Sequence, residues 1–402
     1  MEQKNKVLAG CTIVNMVGVT PMVYTVFGLF LIPISDEFAW PRSAVSAVLL
    51  VLAIVAAIAY PIIGRAIDRF GARRVMIPGI ILFAASVALI SLSPANPVIF
   101  YGLFALMGAA AAIPSTAMFT KVIAGWFDET RGFALGFAGG VGNGVGAAIS
   151  PIIVAALIAS FGWRGAFNGV ALIVLAVGLP TLIIILGDPP RGATTAGLHG
   201  TGMPMQGAMA TRTFWILLVA VGLGAGCMTA VFAHVVPMLL DRAISMDRAV
   251  TVLVTFSTVT AAWQIGIGLV LDRFPRPWIA APFYVAAMVG LIALARSDAQ
   301  PVLILAGALM GLGLGTEYGV LPYLLSRYFG VRHYGAISGV AYGVIVLVQG
   351  ITPPLMDLDY DVNGSYDVAV TVIAIAMIVG AGLLLMLRPL DRPIDAHSAP
   401  AQ

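Results

Sequence analysis

Charge is what this chain has least of. Only 10% of its 402 residues are Asp, Glu, Lys or Arg, against about 25% in ordinary soluble domains. A water-solvated fold of this length needs far more ionised surface, so a soluble enzyme or soluble binding module is excluded. Disorder is excluded by the same balance, because 60% of the residues are hydrophobic and the mean hydropathy is +1.02. Cysteine is nearly absent too. Cys11 and Cys227 lie in apolar runs with no CxxC spacing, which leaves no disulfide framework and no metal site to expect. The net charge of +3 is too small to argue for nucleic acid. HExxH, GxSxG and the glycine–lysine phosphate loop are all missing, so neither an enzyme, nor a resident cofactor, nor an ATP-driven pump is expected. The opening Met-Glu-Gln-Lys-Asn-Lys leads into an apolar run without a small-residue cleavage site and reads as a retained first membrane helix.

What the chain has instead is a series of long apolar runs. About 20 apolar residues cross a ~30 Å hydrocarbon core, and by that ruler spans are predicted near 8–35, 43–63, 75–93, 97–124, 132–159 and 166–187. A second set falls near 213–240, 248–270, 277–295, 301–328, 333–358 and 366–388. The polar, Gly- and Pro-bearing stretch 188–212 separates the sets and reads as a linker. The expected fold is therefore an all-α membrane protein of twelve transmembrane helices. A first six-helix bundle occupies 1–187, a cytoplasmic linker 188–212, a second bundle 213–390 and a tail 391–402. With a cytoplasmic N-terminus, sixteen of the 21 basic residues fall on the inside, and only Arg42, Arg164, Arg242, Arg248 and Arg296 fall outside. That positive-inside bias predicts that both termini are cytoplasmic.

The two sets are related. Gly64-x-x-x-Asp68-Arg69-Phe70-Gly71-x-Arg73-Arg74 follows the second span, and Gly268-x-x-x-Asp272-Arg273-Phe274 follows the eighth, 204 positions on. Pro33 and Pro237 are separated by the same 204 positions. Further echoes are Trp126-Phe127 with Tyr328-Phe329, and Gly132-to-Gly136 with Gly335-to-Gly339. A duplicated six-helix unit in parallel orientation, giving two pseudo-symmetric bundles, explains these matches.

On these motifs the chain resembles the major facilitator superfamily. Two stretches, Trp126 to Gly136 running on to Pro151 and Gly313 to Gly330, further resemble its bacterial monocarboxylate and oxalate–formate porters. The resemblance implies two bundles that rock about a central cavity. Helices one, four, seven and ten would line that cavity, and helices two, five, eight and eleven would meet at the bundle interface. It also implies a gating role for Gly64, Asp68, Arg69, Gly71, Arg73 and Arg74, with Asp272 and Arg273 in the weaker copy. The alternative for this loop is a positive-inside anchor. The sequence departs from the pattern at Ala72 and Pro275.

Candidate substrate-binding or proton-coupling residues follow from polarity at membrane depth. Glu317, near the middle of span ten, is expected to face the cavity or the other bundle with a partner; it is either a proton acceptor or a helix-bridging carboxyl. His234, six residues before the outer end of span seven, is either a proton-linked group or a histidine bonded to a backbone carbonyl. Tyr24, Asn143, Thr260, Trp263, Gln264, Tyr342 and Gln349 form a polar and aromatic set near the midplane. Thr260, Trp263 and Gln264 stand at i, i+3 and i+4, on one helix face. Lys121 either snorkels to the interface or draws an anion into the inner vestibule. The glycine-rich span five, which includes Gly139, Gly140, Gly142, Gly144 and Gly146, reads as close helix packing and not as a phosphate cradle.

The expected function is a monomeric secondary transporter in the bacterial inner membrane that moves a small organic acid with protons by alternating access. The alternative is a proton-coupled exporter of drugs or lipophilic cations. An anchor for an organic anion is missing from spans eight and eleven, which hold no interior basic residue; an acid carried with its proton needs none.

Overall fold

The computed structural model describes residues 2–127, 134, 137–185, 203–274, 276–330 and 334–387. Helices account for nearly all of these residues. In hydrocarbon every backbone N–H and C=O must be satisfied within its own segment, and these apolar runs do that as helices. The first run is α1 (Glu2–Met16), a π-helical turn at Thr20–Tyr24 and α2 (Phe27–Phe38). Then come α3 (Arg42–Phe70), α4 (Ala72–Ile90), α5 (Pro97–Ala111), α6 (Thr116–Trp126), α7 (Gly142–Ile173) and α8 (Leu179–Ile185). After the linker region come the short α9 (Met205–Met209), then α10 (Arg212–Leu240), α11 (Met246–Arg273) and α12 (Ala281–Arg296). The chain closes with α13 (Gln300–Phe329), α14 (Tyr334–Asn363) and α15 (Asp367–Leu385).

Caps set several boundaries. The Asn96 side chain accepts from the Val98 and Ile99 amides while Pro97 takes the first helical position of α5, where no amide hydrogen is needed. Thr211 accepts from the Phe214 amide at the start of α10.

Eleven helices among the described residues are long and apolar enough to cross a membrane, where the hydropathy pattern predicts twelve. The difference lies in one 49-residue run, Phe137–Ile185. Gly162, inside it, has φ 67° and ψ 175°, a conformation that interrupts the helix. Leu157 and Gly169 would stand about 18 Å apart on a straight helix at ~1.5 Å per residue. Instead the Leu157 side chain lies directly over Gly169, so the chain reverses at Gly162.

Within the first half, α3 and α4 pack on α5, and α7 packs on α1 and α4. Within the second, α11 and α12 pack on α13, and α10 packs on α14 and α15. Across the halves, α3 meets α14, α7 meets α11, and α2 meets α10. The α2–α3, α10–α11 and α14–α15 turns lie together at one end, the far end, one helix crossing from residue 2.

Candidate functional site

A cavity of about 340 Å³ opens between the two halves, within the size range of small-molecule sites. From the first half it is lined by Tyr24, Thr25, Tyr60, Thr116 and Asn143, and from the second by Thr229, Phe232, Ser257, Thr260, Gln264, Tyr318 and Gln349. Among the described residues none of the lining is Asp, Glu, Lys, Arg or His. Its polar groups are hydroxyls and side-chain amides set between aromatic and aliphatic surfaces.

Part of that lining is held in place by a polar chain that crosses the first half. Asn143 Nδ2 donates to Thr116 Oγ1 (3.0 Å), the Thr116 hydroxyl donates to Asn15 Oδ1 (2.9 Å), and Asn15 Nδ2 donates to the Ala138 carbonyl (3.1 Å). One Asn143 amide hydrogen is committed to Thr116, which leaves its second hydrogen and its carbonyl oxygen, an acceptor, for a guest.

The structure divides the residues singled out from sequence into two groups. Tyr24, Asn143, Thr260, Gln264 and Gln349 line the cavity together. Trp263, Tyr342, Glu317 and His234 are not among its lining residues. Trp263 shares a helix with Thr260 and Gln264, but its indole nitrogen donates to Thr316 Oγ1 (2.9 Å), which ties α11 to α13. The i+3 position lies about 100° round the helix from i+4, enough to turn the ring to the neighbouring helix. Tyr342 lies seven residues, or about 10 Å, from Gln349 along α14 and is 41% exposed. Glu317 is buried inside the second half, against Gly224 and Tyr284, and neither carboxyl oxygen has a hydrogen-bond partner. The side chain of Lys121 lies outside the described residues.

His234 belongs to a different constellation at the far end. Its Nδ1 is 2.6 Å from the Ala230 carbonyl, and its Nε2 is 2.9 Å from Asp357 Oδ1, with both side chains fully buried. The Tyr366 hydroxyl lies 3.4 Å from the same Asp357 oxygen. Arg42 donates to Tyr366 Oη (2.8 Å) and reaches Asp241 through both terminal nitrogens, at 2.5 and 2.7 Å. Its guanidinium stacks 3.8 Å over the Tyr360 ring. The backbone amides of Arg42 and Ser43 both donate to Asp361, at 2.9 Å each. Arg42 and Ser43 begin α3; every partner belongs to the second half. Tyr366 lies between two spans, and burial beside Asp357 pushes its pKa above the ordinary phenol range, so it stays a donor.

Asp357, Asp241, Arg42, Tyr360 and Tyr366 are not legible as a site in the sequence. Asp357 stands one residue inside the expected end of span eleven, among Asp359 and Asp361, and reads as an interfacial acid. The available signal was its helical phase, since i+4 from Asp357 is Asp361, on the same face.

The family assignment rests on a direct match: the profile described as Major Facilitator Superfamily covers residues 13–353 and 235–402. The chain belongs to the Major Facilitator Superfamily. An uncharacterized MFS-type transporter of Bacillus subtilis, YcxA, is 28% identical over 54% of this chain; the match spans about half of that relative's length, 54%. The 2-nitroimidazole transporter of Escherichia coli K12 is 23% identical over 83% of this chain and 82% of its own. Among solved structures, a bacterial homologue of the human lysosomal transporter Spinster, inward-facing and occupied, superposes with a TM-score of 0.70. That similarity comes at 16% identity over 96% of this chain and 95% of the other. The finer likeness to monocarboxylate and oxalate–formate porters stays an expectation.

In this superfamily member the Gly64–Arg74 motif, expected as a loop, runs from the last two turns of α3 through a one-residue turn at Gly71 into α4. Gly71 closes α3 and opens α4 at φ 87°, ψ 152°, and its amide donates to the Ile67 carbonyl (2.9 Å). Arg73 donates to the Ile183 carbonyl (2.7 Å), which fastens α4 to α8. Arg69 sits over the Phe70 ring and Arg273 over Phe274, the same arrangement in both copies. The side chains of Asp68 and Asp272, like residue Pro275, lie outside the described residues. Gly71→Val is expected to cost roughly 1–3 kcal/mol, because a β-branched residue is strained in that region of φ and ψ. Thermal unfolding in detergent checks this: a melting temperature equal to wild type would show that the loop relaxes without penalty.

Proposed function

We propose that this protein is a secondary active transporter of the bacterial plasma membrane that works by alternating access. It counts the reversed run Phe137–Ile185 as two crossings, which gives twelve helices in two bundles with both termini in the cytoplasm. Its substrate is a small organic solute that occupies the cavity without net charge. For a weak organic acid, this means carriage together with its proton, which amounts to proton symport.

The observation that carries this reading is the lining. A bound carboxylate would find no cation among the described lining residues, and a lipophilic cation would find no carboxylate. An unpaired ion taken out of water costs several kcal/mol, so the site favours neutral guests over either kind of ion. Hydroxyls and amides at Tyr24, Asn143, Thr260, Gln264 and Gln349 supply hydrogen bonds, and Tyr24, Tyr60, Phe232 and Tyr318 supply flat apolar surface. The Asn143 acceptor suits the O–H of an undissociated acid or the N–H of a neutral heteroaromatic. The 2-nitroimidazole transporter named above supports the same class of guest. Glu317 keeps its proposed part in proton coupling, acting from within the second half and not from the cavity wall.

Uptake into proteoliposomes tests the reading with three probes: a small monocarboxylic acid, a neutral nitroimidazole and tetraphenylphosphonium. Uptake of the acid is expected to track its undissociated fraction as pH changes, and the phosphonium is expected to be excluded. Gln264→Ala removes about 1–1.5 kcal/mol of hydrogen bonding, so KM is expected to rise about tenfold. Saturable uptake of the phosphonium in preference to both other probes would replace this reading with cation transport.

A further inference from the structure

Three side chains of the first half fix the sense of one amide on the cavity wall. Asn15 lies near the end of α1, is 1% exposed and is not among the lining residues. Beside it runs the π-helical turn Phe137–Val141, which leads into α7. Asn15 Nδ2 is 3.1 Å from the Ala138 carbonyl of that turn. A carbonyl oxygen only accepts, so the end of the Asn15 amide that faces it must be the nitrogen. The Asn15 oxygen then faces the Thr116 hydroxyl at 2.9 Å, and Thr116 commits its single hydrogen there. Toward Asn143, 3.0 Å away, the Thr116 oxygen is left as an acceptor. Asn143 must therefore turn its nitrogen to Thr116, which holds its carbonyl oxygen away from Thr116. Each link leaves the next a single choice, and a main-chain atom sets the first.

We propose that Asn15 is a positioning residue that sets which guests the cavity prefers: through Thr116 it fixes Asn143 as an acceptor for a guest N–H or O–H. An unconstrained carboxamide can reverse, exchanging its oxygen for its NH2 group with little change of shape. A reversed Asn143 would offer the guest donors alone. It would also set its oxygen against the Thr116 oxygen, whose hydrogen is already committed to Asn15. Two oxygens with no hydrogen between them repel, and a buried acceptor left unmade is costly. The role assigned to Asn15 rests on the cavity being the solute site of the proposed function, and it narrows the neutral guests of that site to those with a donor hydrogen.

The close approach of α1 to α7 makes the relay possible. A Cβ at Gly142 would lie 2.7 Å from the Asn15 Cβ and 2.6 Å from the Thr12 carbonyl oxygen, and one at Gly146 would run into the Met16 carbonyl oxygen. Small residues at i and i+4 let membrane helices pack in this way. Gly144 does the same against Ala261 of α11, in the other half. Asn143, between Gly142 and Gly144, therefore stands where α7 is held from both sides. The glycine-rich start of α7 is thus more than packing: it brings the Asn15 amide within reach of a turn carbonyl and of Thr116.

Equilibrium binding to the purified protein in lipid nanodiscs tests this with two probes: a neutral nitroimidazole that carries a ring N–H, and its N-methyl derivative. Wild type is expected to bind the N–H compound about tenfold more tightly, the effect of one hydrogen bond to the Asn143 oxygen. Asn15→Leu keeps the volume and removes both amide ends, so the Thr116 hydroxyl can turn and donate to Asn143, and Asn143 can reverse. The ratio of the two dissociation constants is then expected to fall toward one. Asn15→Ala is expected to do the same, should the leucine variant not fold. Asn143→Ala is expected to lose the preference too, and Asn15→Leu to change nothing further in that background, because Asn15 acts through Asn143. A purely structural Asn15 would weaken both compounds alike and keep the ratio. A tenfold ratio retained in a folded Asn15 variant would overturn the positioning role and leave the cavity reading standing, and so would equal binding of both compounds by wild type. Binding of neither compound by wild type would overturn both.

Discussion

Gly28→Val is expected to reduce transport about a hundredfold in a protein that still folds and inserts. Gly28 on α2 packs directly against the backbone of α10, and a Cβ there would sit well under 3.0 Å from the Ala233 carbonyl oxygen. The obstacle is a main-chain atom, so no side-chain rotation relieves it. Overpacking a tight contact costs about 1–3 kcal/mol, and a fixed backbone partner puts this case at the upper end. That strain falls on the conformation of this structure, in which α2 and α10 touch. About 3 kcal/mol is roughly a hundredfold in the equilibrium. Initial uptake rates measure it, together with the distance between spin labels at Val98→Cys and Val362→Cys, exposed positions of opposite halves, with Cys11 and Cys227 replaced by alanine. Wild-type uptake together with a closed distance would remove Gly28 from the gate.

Arg42→Ala is expected to open the far end by a similar factor, through lost attraction. Arg42 holds Asp241 with two hydrogen bonds, Tyr366 with a third, and Tyr360 with its flat face. Its side chain is 11% exposed and that of Asp241 22%. Removing one partner of a buried pair costs about 3–5 kcal/mol, and partial exposure puts this pair at the lower end. Arg42→Lys keeps the charge but loses the fork and the stack, so a smaller shift, about tenfold, is expected. Because the pair is not fully buried, the difference between wild type and Arg42→Ala should narrow in high salt. Asp241→Asn and the double variant complete a cycle, and additive effects would show that the two residues do not act as a pair.

Both predictions concern residues that sequence reasoning passed over. Arg42 and Asp241 lie at span ends, where charged residues are ordinary, and 199 positions separate them. No periodicity relates them; they meet because α3 begins and α10 ends at the same face. Asp357 escaped notice because acids cluster after it, and its burial depends on α10 and Tyr366 packing over it. Glu317 was legible as an acid at membrane depth, but the expectation that it faces the cavity or the other bundle with a partner is overturned, since neither carboxyl oxygen has a hydrogen-bond partner. In the fold it faces Gly224 and Tyr284 within its own half. Trp263 shows the same limit on a smaller scale: spacing placed it beside Thr260 and Gln264, and the hydroxyl of Thr316 drew it away.

The low charge content that first set the class also explains where legibility stops. Apolar runs of membrane length determine helices by themselves, since hydrocarbon allows the backbone few other solutions. The turn at Gly71 was legible for a local reason, because its backbone conformation depends on residues adjacent in the chain. Family membership was legible in the repeated loops. Which polar side chains share one uncharged cavity, and which seal the far end, are contacts between helices a hundred or more residues apart. Helix orientation about its own axis sets them, and packing against neighbours sets that orientation. The sequence by itself therefore determined helices, class and family. Only the tertiary structure decided that the described cavity lining is uncharged and that Arg42, Asp241, Tyr366, His234 and Asp357 gather at the far end.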